Sequence, residues 1–199
     1  MIEIIKKNNF DPYLRFYGLL DNAIQSDQKA IDAISVSSLD KVKNEVNSRY
    51  VNLKYIDNED WIFFSNYDGP KANDFKQHDQ ISVLFYWQKI NIQIRIKASI
   101  RISSSKFSDK HFKIRSKEKN ALAISSKQSR YIQSFDEVKL NYDNIYNSDI
   151  DLSIRPNNWG GFSFEPYYFE FWEGNNSRLN KRQVFSKEGA LWQSFFIQP

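Results

Sequence analysis

Two arginines near the C-terminus, Arg178 and Arg182, stand four residues apart in the polar segment EGNNSRLNKR, between the aromatic runs FSFEPYYFEFW and ALWQSFFI. A guanidinium group is planar, stays charged and donates paired hydrogen bonds to phosphate or carboxylate. Held near apolar walls, the two groups would grip a planar, anionic ligand. The alternative is a β-hairpin whose tip carries two solvated arginines, and the residue pattern alone favours this simpler structure.

A second group of basic residues lies in the stretch SDKHFKIRSKEKNALAISSKQSR, residues 108–130, which we interpret as one helix. His111, Arg115 and Lys119 follow one another at intervals of four. Residues four apart lie on the same helix face, so the three side chains would converge on one anion. A run of charges is more often a solvated helix face, and that alternative stays open.

A third candidate is the junction between WIFFSNYDG and PKANDFKQHDQ, where a strand pattern meets a helix pattern that begins at Pro70. Ser65, Asn66, Gly69 and Lys71 at such a junction could present backbone N–H groups and an ammonium group to a phosphate. The spacing is not that of a Walker loop, so the segment alone is a weak signal of anion binding.

Two strand patterns carry further polar candidates. In SRYVNLKYI, strict alternation places Arg49 and Lys54 on opposite faces, so spacing alone does not unite them. In INIQIRIKASIRIS, isoleucines alternate with polar residues, and Gln93 on the polar face could hydrogen-bond the edge of a heterocycle. A solvated strand face is the commoner explanation for the second pattern.

Composition narrows the class of protein. The 199 residues include 32 aromatic ones (16 Phe, 11 Tyr and 5 Trp), a content typical of a packed, β-rich globule. With no cysteine and only two histidines far apart, His78 and His111, we expect no disulfide and no metal site. The net charge of +4 is mild and its lysines are scattered, which argues against nucleic acid as a partner. Neither a signal peptide nor a membrane-spanning run is evident, and we expect a cytoplasmic protein.

The hydrophobic patterns predict a single β-rich α+β domain over residues 1–199. Residues 9–26 have helical periodicity, with Asp11 as the expected cap and Pro12 in the first turn. Strand patterns follow over 30–56, over 61–69 (a strand followed by a turn), and over 81–87 and 90–103, and a polar helix with a loop over 133–154. The aromatic runs of residues 155–199 predict C-terminal strands.

Several motifs, in the same order along the chain, resemble those of the pyridoxamine 5'-phosphate oxidase family. At the C-terminus these are WGGFSFEP, FEFWEG and SRLNKR, and further upstream they are SRYVNLK, FFSN, GPKA, VLFYW followed by Gln93, and SSKQS. The resemblance extends from about Phe10 to Pro199. It implies a split β-barrel with flanking helices and a homodimer that binds FMN at the subunit interface, with residues 155–199 contributing to dimerisation and to the active site.

The resemblance also assigns roles to residues. It implies that FMN is bound by Arg49, Tyr50, Lys54, Phe64, Ser65, Lys71, Gln93, Gln128, Ser129, Trp172 and Arg182. It implies that the substrate is bound by Lys54, His111, Arg115, Lys119, Arg178 and Asn180. Of these, Arg178 and Asn180 are the expected catalytic residues. To bring Arg49 and Lys54 into one site, we predict a bulge or sharp twist near Asn52.

This chain departs from the family pattern at three of these positions and at Pro70. Asn180 replaces a histidine, His111 a tyrosine, Lys119 a serine, and Pro70 an arginine that helps to hold the FMN phosphate. The first hypothesis is therefore an FMN-dependent oxidase that converts pyridoxine or pyridoxamine 5'-phosphate to pyridoxal 5'-phosphate, with dioxygen as acceptor and hydrogen peroxide as product. One alternative is an FMN-dependent oxidase of another anionic ring compound, as in secondary metabolism. Another is a non-catalytic split-barrel protein that binds a flavin or another planar cofactor.

Overall fold

The computed structural model describes residues Met1–Pro199 and contains ten strands and five α-helices. The strands are β1 (Glu3–Lys6), β2 (Ala33–Asp40), β3 (Glu45–Asn52), β4 (Tyr55–Asp57), β5 (Asp60–Asn66), β6 (Gln80–Trp87), β7 (Ile92–Ile102), β8 (Trp159–Glu173), β9 (Lys181–Glu188) and β10 (Leu191–Phe196). The helices are α1 (Asp11–Gln25), α2 (Pro70–Gln77), α3 (Ser105–Ile114), α4 (Lys117–Ser125) and α5 (Phe135–Tyr146), and a short 3₁₀ turn (Gln88–Ile90) joins β6 to β7.

All ten strands belong to one sheet, in which every pairing is antiparallel except that of β1 with β4. The order along the sheet is β1-β4-β5-β8-β7-β6-β2-β3, and β9 and β10 branch from β8. Strand β8 is 15 residues long and pairs with β7 from Phe162 to Glu173. Its first half also pairs with β5 and its second half with β9, with the register shift opposite Lys97 and Ala98 between them. The sheet therefore divides in two at β8.

Helix α1 supplies aromatic side chains to the core. Phe16 is fully buried, and its ring lies 4.4 Å from that of Trp61, 5.4 Å from Phe85 and 5.7 Å from Trp87, measured between centroids. Tyr13, one turn earlier, meets rings of β8 and β10. The three- and four-residue spacing of apolar residues seen in the sequence thus corresponds to the buried face of this helix.

The start of α1 differs from the expected one. Asp11 occupies the first turn but does not cap the helix, because Phe10 holds the capping position with an extended backbone. The side chain of Asn8 instead accepts a hydrogen bond from the Phe10 backbone N–H. Pro12 lies in the first turn as predicted, where its missing N–H costs nothing.

The stretch 108–130 was predicted as one helix, and that prediction is wrong. The chain leaves the helical conformation at Arg115 (φ −75°, ψ 155°) and at Ser116, which begins a new helix. Serine is a favoured first residue of a helix, so the sequence SK after Arg115 is a restart signal that helical spacing hides. His111, Arg115 and Lys119 therefore do not share one helix face.

The glycines of the WGGF segment are explained by close contacts. A Cβ atom on Gly160 would lie 2.1 Å from the Tyr67 hydroxyl, and one on Gly161 would lie 2.8 Å from Ser103 Oγ. Only glycine permits these approaches without displacing neighbours. Gly160 and Gly161 therefore let Tyr67, in the loop after β5, and Ser103, in the loop before α3, pack directly against the start of β8.

No helix of the chain is both long enough and apolar enough to cross a lipid bilayer. Nor do any three His, Cys, Asp or Glu side chains gather in a way that could hold a metal ion.

We predict that Phe16→Ala lowers the free energy of unfolding by about 3–5 kcal/mol, because it removes a fully buried ring from a cluster that cannot collapse around the gap. Leu14→Ala, on the exposed side of the same helix, should cost less than about 1 kcal/mol. Equilibrium denaturation of both variants is the measurement. Similar losses in the two variants would show that α1 is not anchored through Phe16.

Candidate active site

A cavity of about 1020 Å³ opens between β3, the end of β5, the start of α2 and the junction of α3 with α4. Eleven residues singled out from the sequence line it: Arg49, Tyr50, Lys54, Phe64, Ser65, Lys71, His111, Arg115, Lys119, Gln128 and Ser129. Its walls carry six Lys or Arg side chains and only two carboxylates, Asp40 and Glu45. The cavity is therefore suited to anionic ligands.

One corner of the cavity is built around Lys71, which is only 8% exposed. Its Nζ atom donates hydrogen bonds to Ser65 Oγ (2.7 Å) and Gln128 Oε1 (3.0 Å). Both acceptors are neutral, and no carboxylate pairs with this ammonium group. Burial, and then the charge of Arg49, lower the pKa of Lys71. A buried cation with only neutral partners is stabilised when an anion binds beside it.

The neighbouring cation, Arg49, is oriented by Ser38 and Asp74. Its Nη1 atom donates to Ser38 Oγ at 2.7 Å, and Ser38 in turn donates to Asp74 Oδ2 at 2.6 Å. Asp74 Oδ2 also lies 3.7 Å from Arg49 Nη2. Burial lowers the pKa of Arg49 and the charge of Asp74 opposes that effect. Asp74 sits on α2 three residues after Lys71, so one short helix orients both cations.

The expected irregularity near Asn52 takes the form of a strand break. The register of β2 with β3 runs without a bulge to Asn52. The Leu53 N–H then donates to Asp32 O and the Lys54 N–H to Ile62 O, both at 2.8 Å. The chain thus changes partner from β2 to β5, and the side chain of Lys54 reaches the same cavity as Arg49. Lys54 Nζ is fixed there by Asp32 Oδ2 at 2.9 Å.

Three nearly parallel rings form another wall. Phe64 lies 3.7 Å from His111 (11° between planes) and 5.4 Å from Trp159 (12°), measured between centroids. His111 and Trp159 are 6.2 Å apart (8°), so the three rings form a triangle rather than a column. The guanidinium carbon of Arg115 stands 4.2 Å above the Trp159 ring. Arg115 Nη2 donates to the Lys119 carbonyl oxygen at 3.1 Å, whereas Nη1 is buried and has no partner. Burial lowers the pKa of Arg115 to about 10.

The five remaining predicted residues, Gln93, Trp172, Arg178, Asn180 and Arg182, do not line this cavity. Three of them form a second cluster, because Gln93 pairs with Trp172 across β7 and β8, and Trp172 pairs with Arg182 across β8 and β9. Trp172 stands near the end of β8, whereas the cavity residue Trp159 begins it. At about 3.3 Å per residue, roughly 40 Å of extended chain separates the two. One chain therefore does not bring the two groups together.

The second cluster is organised by Glu170, which is 1% exposed. Its Oε1 atom accepts hydrogen bonds from Nε (2.9 Å) and Nη2 (2.7 Å) of Arg182, and Oε2 accepts from Arg95 Nη1 (3.0 Å). Arg178 is exposed and adopts a left-handed backbone with φ of 63° in the turn before β9. Asn180 Oδ1 accepts from the Asn175 N–H at 3.0 Å and so shapes that turn.

Sequence reasoning missed three residues that act on the site. Asp74 holds Arg49, Tyr55 bonds His111, and Trp159 supports Arg115. Asp74 could have been found from its spacing to Lys71 on a short helix. Trp159 belongs to the WGGF motif but was given no role. Tyr55 gave no signal, since its contact with His111 spans 56 positions and depends on the strand break.

Two family models match this chain. Residues 20–149 match the family described as pyridoxamine 5'-phosphate oxidase, and residues 159–199 match the pyridoxine 5'-phosphate oxidase C-terminal dimerisation region. A curated relative from Hydrogenovibrio crunogenus, named pyridoxine/pyridoxamine 5'-phosphate oxidase 1, is 33% identical over 95% of this chain and 88% of its own length. Another from Leptospira interrogans, named pyridoxine/pyridoxamine 5'-phosphate oxidase, is 31% identical over 95% of this chain and 89% of its own.

The chain belongs to the pyridoxamine 5'-phosphate oxidase family.

It is an FMN-dependent oxidoreductase, as the resemblance of its motifs predicted. Two solved structures share its fold. PhzG from Burkholderia lata, in complex with tetrahydrophenazine-1-carboxylic acid, has a TM-score of 0.89 at 22% identity and covers 98% of this chain and 94% of its own. An FMN-binding protein from Nostoc punctiforme has a TM-score of 0.78 at 13% identity and covers 96% of this chain and 100% of its own. The predicted split β-barrel with flanking helices is confirmed.

The donor set of the cavity fits FMN on the structure's own terms. A phosphate dianion needs cations and N–H or O–H donors, and the corner formed by Lys71, Arg49 and Ser65 offers them. The buried Lys71 has no protein anion as a competitor. Pro70 stands where the resemblance leads us to expect an arginine, yet two cations, the buried Lys71 and the half-buried Arg49, line this corner.

The site also predicts a pH effect on stability. Burial, then the charges of Arg115, Lys54 and Lys119, lower the pKa of His111 from 6.5 to about 4. Between those values the unfolded chain binds a proton that the folded chain does not, so the free energy of unfolding falls as the pH falls from about 6.5 to about 4.

We expect His111→Phe, which keeps a flat ring on Phe64, to remove this part of the pH dependence. The difference in unfolding free energy between pH 7 and pH 5 should be smaller in the variant by about 1 kcal/mol, after allowance for solvent screening. Denaturant titrations of both proteins at the two pH values measure it. Equal differences in the two proteins would contradict a neutral, buried His111.

Proposed function

We propose that this protein oxidises pyridoxine or pyridoxamine 5'-phosphate to pyridoxal 5'-phosphate. The observation that carries the proposal is Arg115, a half-buried guanidinium stacked on Trp159, with one buried nitrogen unpartnered and no carboxylate hydrogen-bonded to it. Such a group binds the phosphate of a small aromatic substrate, while the parallel rings beside it suit an aromatic ring. The names of the curated relatives support the same substrate class.

The cofactor and the substrate would use different ends of the cavity. FMN would place its phosphate near Arg49, Ser65 and Lys71, with Gln128 and Ser129 along its polar chain. The substrate phosphate would lie near Arg115 and Lys119. Bound FMN would supply the redox chemistry, as the acceptor of a hydride from the substrate and the donor of two electrons to dioxygen, which with two protons gives hydrogen peroxide.

The chain's own contribution is orientation and charge neutralisation. Lys54, fixed by Asp32, lies between the two anion-binding ends and would contact the substrate. Arg178 would lie over the substrate ring and Asn180 would take the place of the family's histidine. Neither needs to act as a strong acid or base, because the two ligands need only be held in contact in the right geometry.

The second cluster would complete the site from another subunit. Gln93, Trp172 and Arg182 lie far from the cavity along β8, and residues 159–199 match the family's dimerisation region. In a two-fold homodimer, each subunit's cluster would reach the partner's cavity. Arg182 is already oriented by the buried Glu170, so it could be presented with little rearrangement.

Anaerobic mixing of the FMN-loaded protein with pyridoxine 5'-phosphate tests the function. We expect the visible flavin band to bleach, and to recover when air is admitted, with formation of pyridoxal 5'-phosphate and hydrogen peroxide. A flavin band that persists over many minutes with either phosphorylated substrate would show that the substrate is another compound.

A pair of variants assigns the two ends of the cavity. Arg115→Ala should raise KM by about 10- to 100-fold, because a charge-assisted bond to the substrate is lost, with the FMN Kd unchanged. Lys71→Met should weaken FMN instead. Equal loss of flavin in both variants would reject the assignment of Arg115.

Subunit complementation tests the two-chain site. Lys71→Met and Arg182→Ala homodimers should each be impaired at both sites. In a dimer with one variant of each kind, one site carries both changes and the other carries neither. After denaturation and refolding of an equal mixture, about a quarter of wild-type activity should return, since about half the dimers are mixed and each has one intact site. No gain over the separate variants would mean that both residues serve the same chain's site.

A further inference from the structure

The imidazole of His111 is fixed on several sides. Its ring lies flat on Phe64 and parallel to Trp159, which is 6.2 Å away, and Tyr55 meets its edge with 89° between the planes. Nδ1 lies 2.8 Å from the Tyr55 hydroxyl oxygen. Nε2 has no hydrogen-bond partner in the chain, and the residue lines the cavity beside Arg115. Nδ1 is therefore bonded to another residue of the chain, and Nε2 is free to bond a ligand.

The surroundings of Tyr55 decide which nitrogen carries the hydrogen. Tyr55 is 8% exposed, and Nδ1 of His111 is the single partner of its hydroxyl. If Nδ1–H donated to the phenol oxygen, the phenol hydrogen would be left without an acceptor in a buried position, which is costly. Burial, and then the charge of Glu3, raise the pKa of Tyr55, so the phenol keeps its hydrogen. The phenol therefore donates to Nδ1, and Nε2 carries the imidazole hydrogen.

The ring stays uncharged as well as oriented. Arg115, Lys119 and Lys54 surround it with positive charge, and no carboxylate bonds to it. A second proton on the ring is opposed by burial and by these three cations, and the pKa is lowered to about 4. At neutral pH the ring thus offers a single N–H donor without adding to the positive charge of the cavity.

We propose that Tyr55 positions His111 as a neutral Nε2–H donor to the anionic group of the substrate, next to the Arg115 guanidinium. The proposal deepens the function proposed above, on which it rests for the identity of the anion, a phosphate monoester. Arg115 attracts the anion through its charge. His111 fixes the orientation of the anion, because an N–H donor of fixed orientation bonds only an acceptor placed in line with it. Tyr55 acts through His111 and is a positioning residue.

The tautomer can be read directly. The chain has two histidines, so ¹⁵N-histidine labelling of the FMN-loaded protein gives two ring spin systems, which His78→Gln assigns. We expect the His111 ring to show the neutral Nε2–H pattern at pH 7, with and without inorganic phosphate. An Nδ1–H pattern or an imidazolium would overturn the proposal. In Tyr55→Phe, which keeps the ring contact, the two tautomers should become mixed, and an unchanged pattern would remove Tyr55 from the proposal.

Binding measurements test the donor itself. His111→Phe keeps a flat ring on Phe64 without any N–H, whereas His111→Gln keeps an N–H donor at a similar reach. With inorganic phosphate as the probe, His111→Phe should raise the Kd about tenfold and His111→Gln should recover most of the loss, with the FMN Kd unchanged in both. Equal phosphate affinity in wild type and His111→Phe would overturn the proposal.

The same measurements separate this proposal from the proposed function. If pyridoxine 5'-phosphate fails to bleach the flavin while the Nε2–H tautomer and the His111-dependent phosphate binding hold, the substrate assignment fails and the donor stands. If bleaching occurs with a KM that His111→Phe does not change, the oxidase stands and the donor fails. Where the donor is right, His111→Phe should raise KM about tenfold and leave kcat within about twofold.

Discussion

The length and branching of β8 are the constraint on which the rest of the structure depends. This strand of 15 residues pairs with β7 from Phe162 onward, with β5 in its first half and with β9 in its second. Its first residue, Trp159, supports the cation of the cavity, and Trp172 near its end stands in the second cluster. Because an extended strand cannot fold back on itself, the two ends of β8 cannot meet in one chain. A site that uses residues from both ends of β8 therefore needs two chains.

The positively charged side chains near the two ends of β8 differ in whether a carboxylate neutralises them. In the second cluster, the cations of Arg95 and Arg182 are neutralised by the buried Glu170, which fixes their orientation. In the cavity, Lys71 and Arg115 have no carboxylate partner at all. Buried charges of this kind destabilise the empty protein and are stabilised by an anionic ligand. We infer that the cavity gives up folding stability for ligand affinity, and that the aromatic core under α1 offsets the loss.

Much of the fold could be predicted from the sequence, because its strands carry long alternating patterns and its α1 helix has a single apolar face. The isoleucine alternation of β7 and the buried face around Phe16 are examples. The positions at which the chain interrupts its strand and helix patterns could not be predicted. The partner change at Leu53 depends on backbone hydrogen bonds to residues distant in sequence, and the helix restart at Ser116 is hidden by helical spacing that continues across it. These two breaks bring Arg115 and Lys54 into the cavity, so the gathering of the site was visible only through family resemblance.

The residue at position 111, one of the expected departures from the family, fits its surroundings. An imidazole is flat enough to stack on Phe64 and to lie parallel to Trp159, and it needs a partner for its nitrogen Nδ1. Tyr55 provides that partner, at the place where the strand break turns the chain toward α3. Without the tyrosine, the buried nitrogen would be unsatisfied and either tautomer would be accessible. The residue that can occupy position 111 therefore depends on the backbone path at residues 53–55, which places Tyr55 beside it. In this way a local break in a strand determines which hydrogen-bond donor faces the ligand.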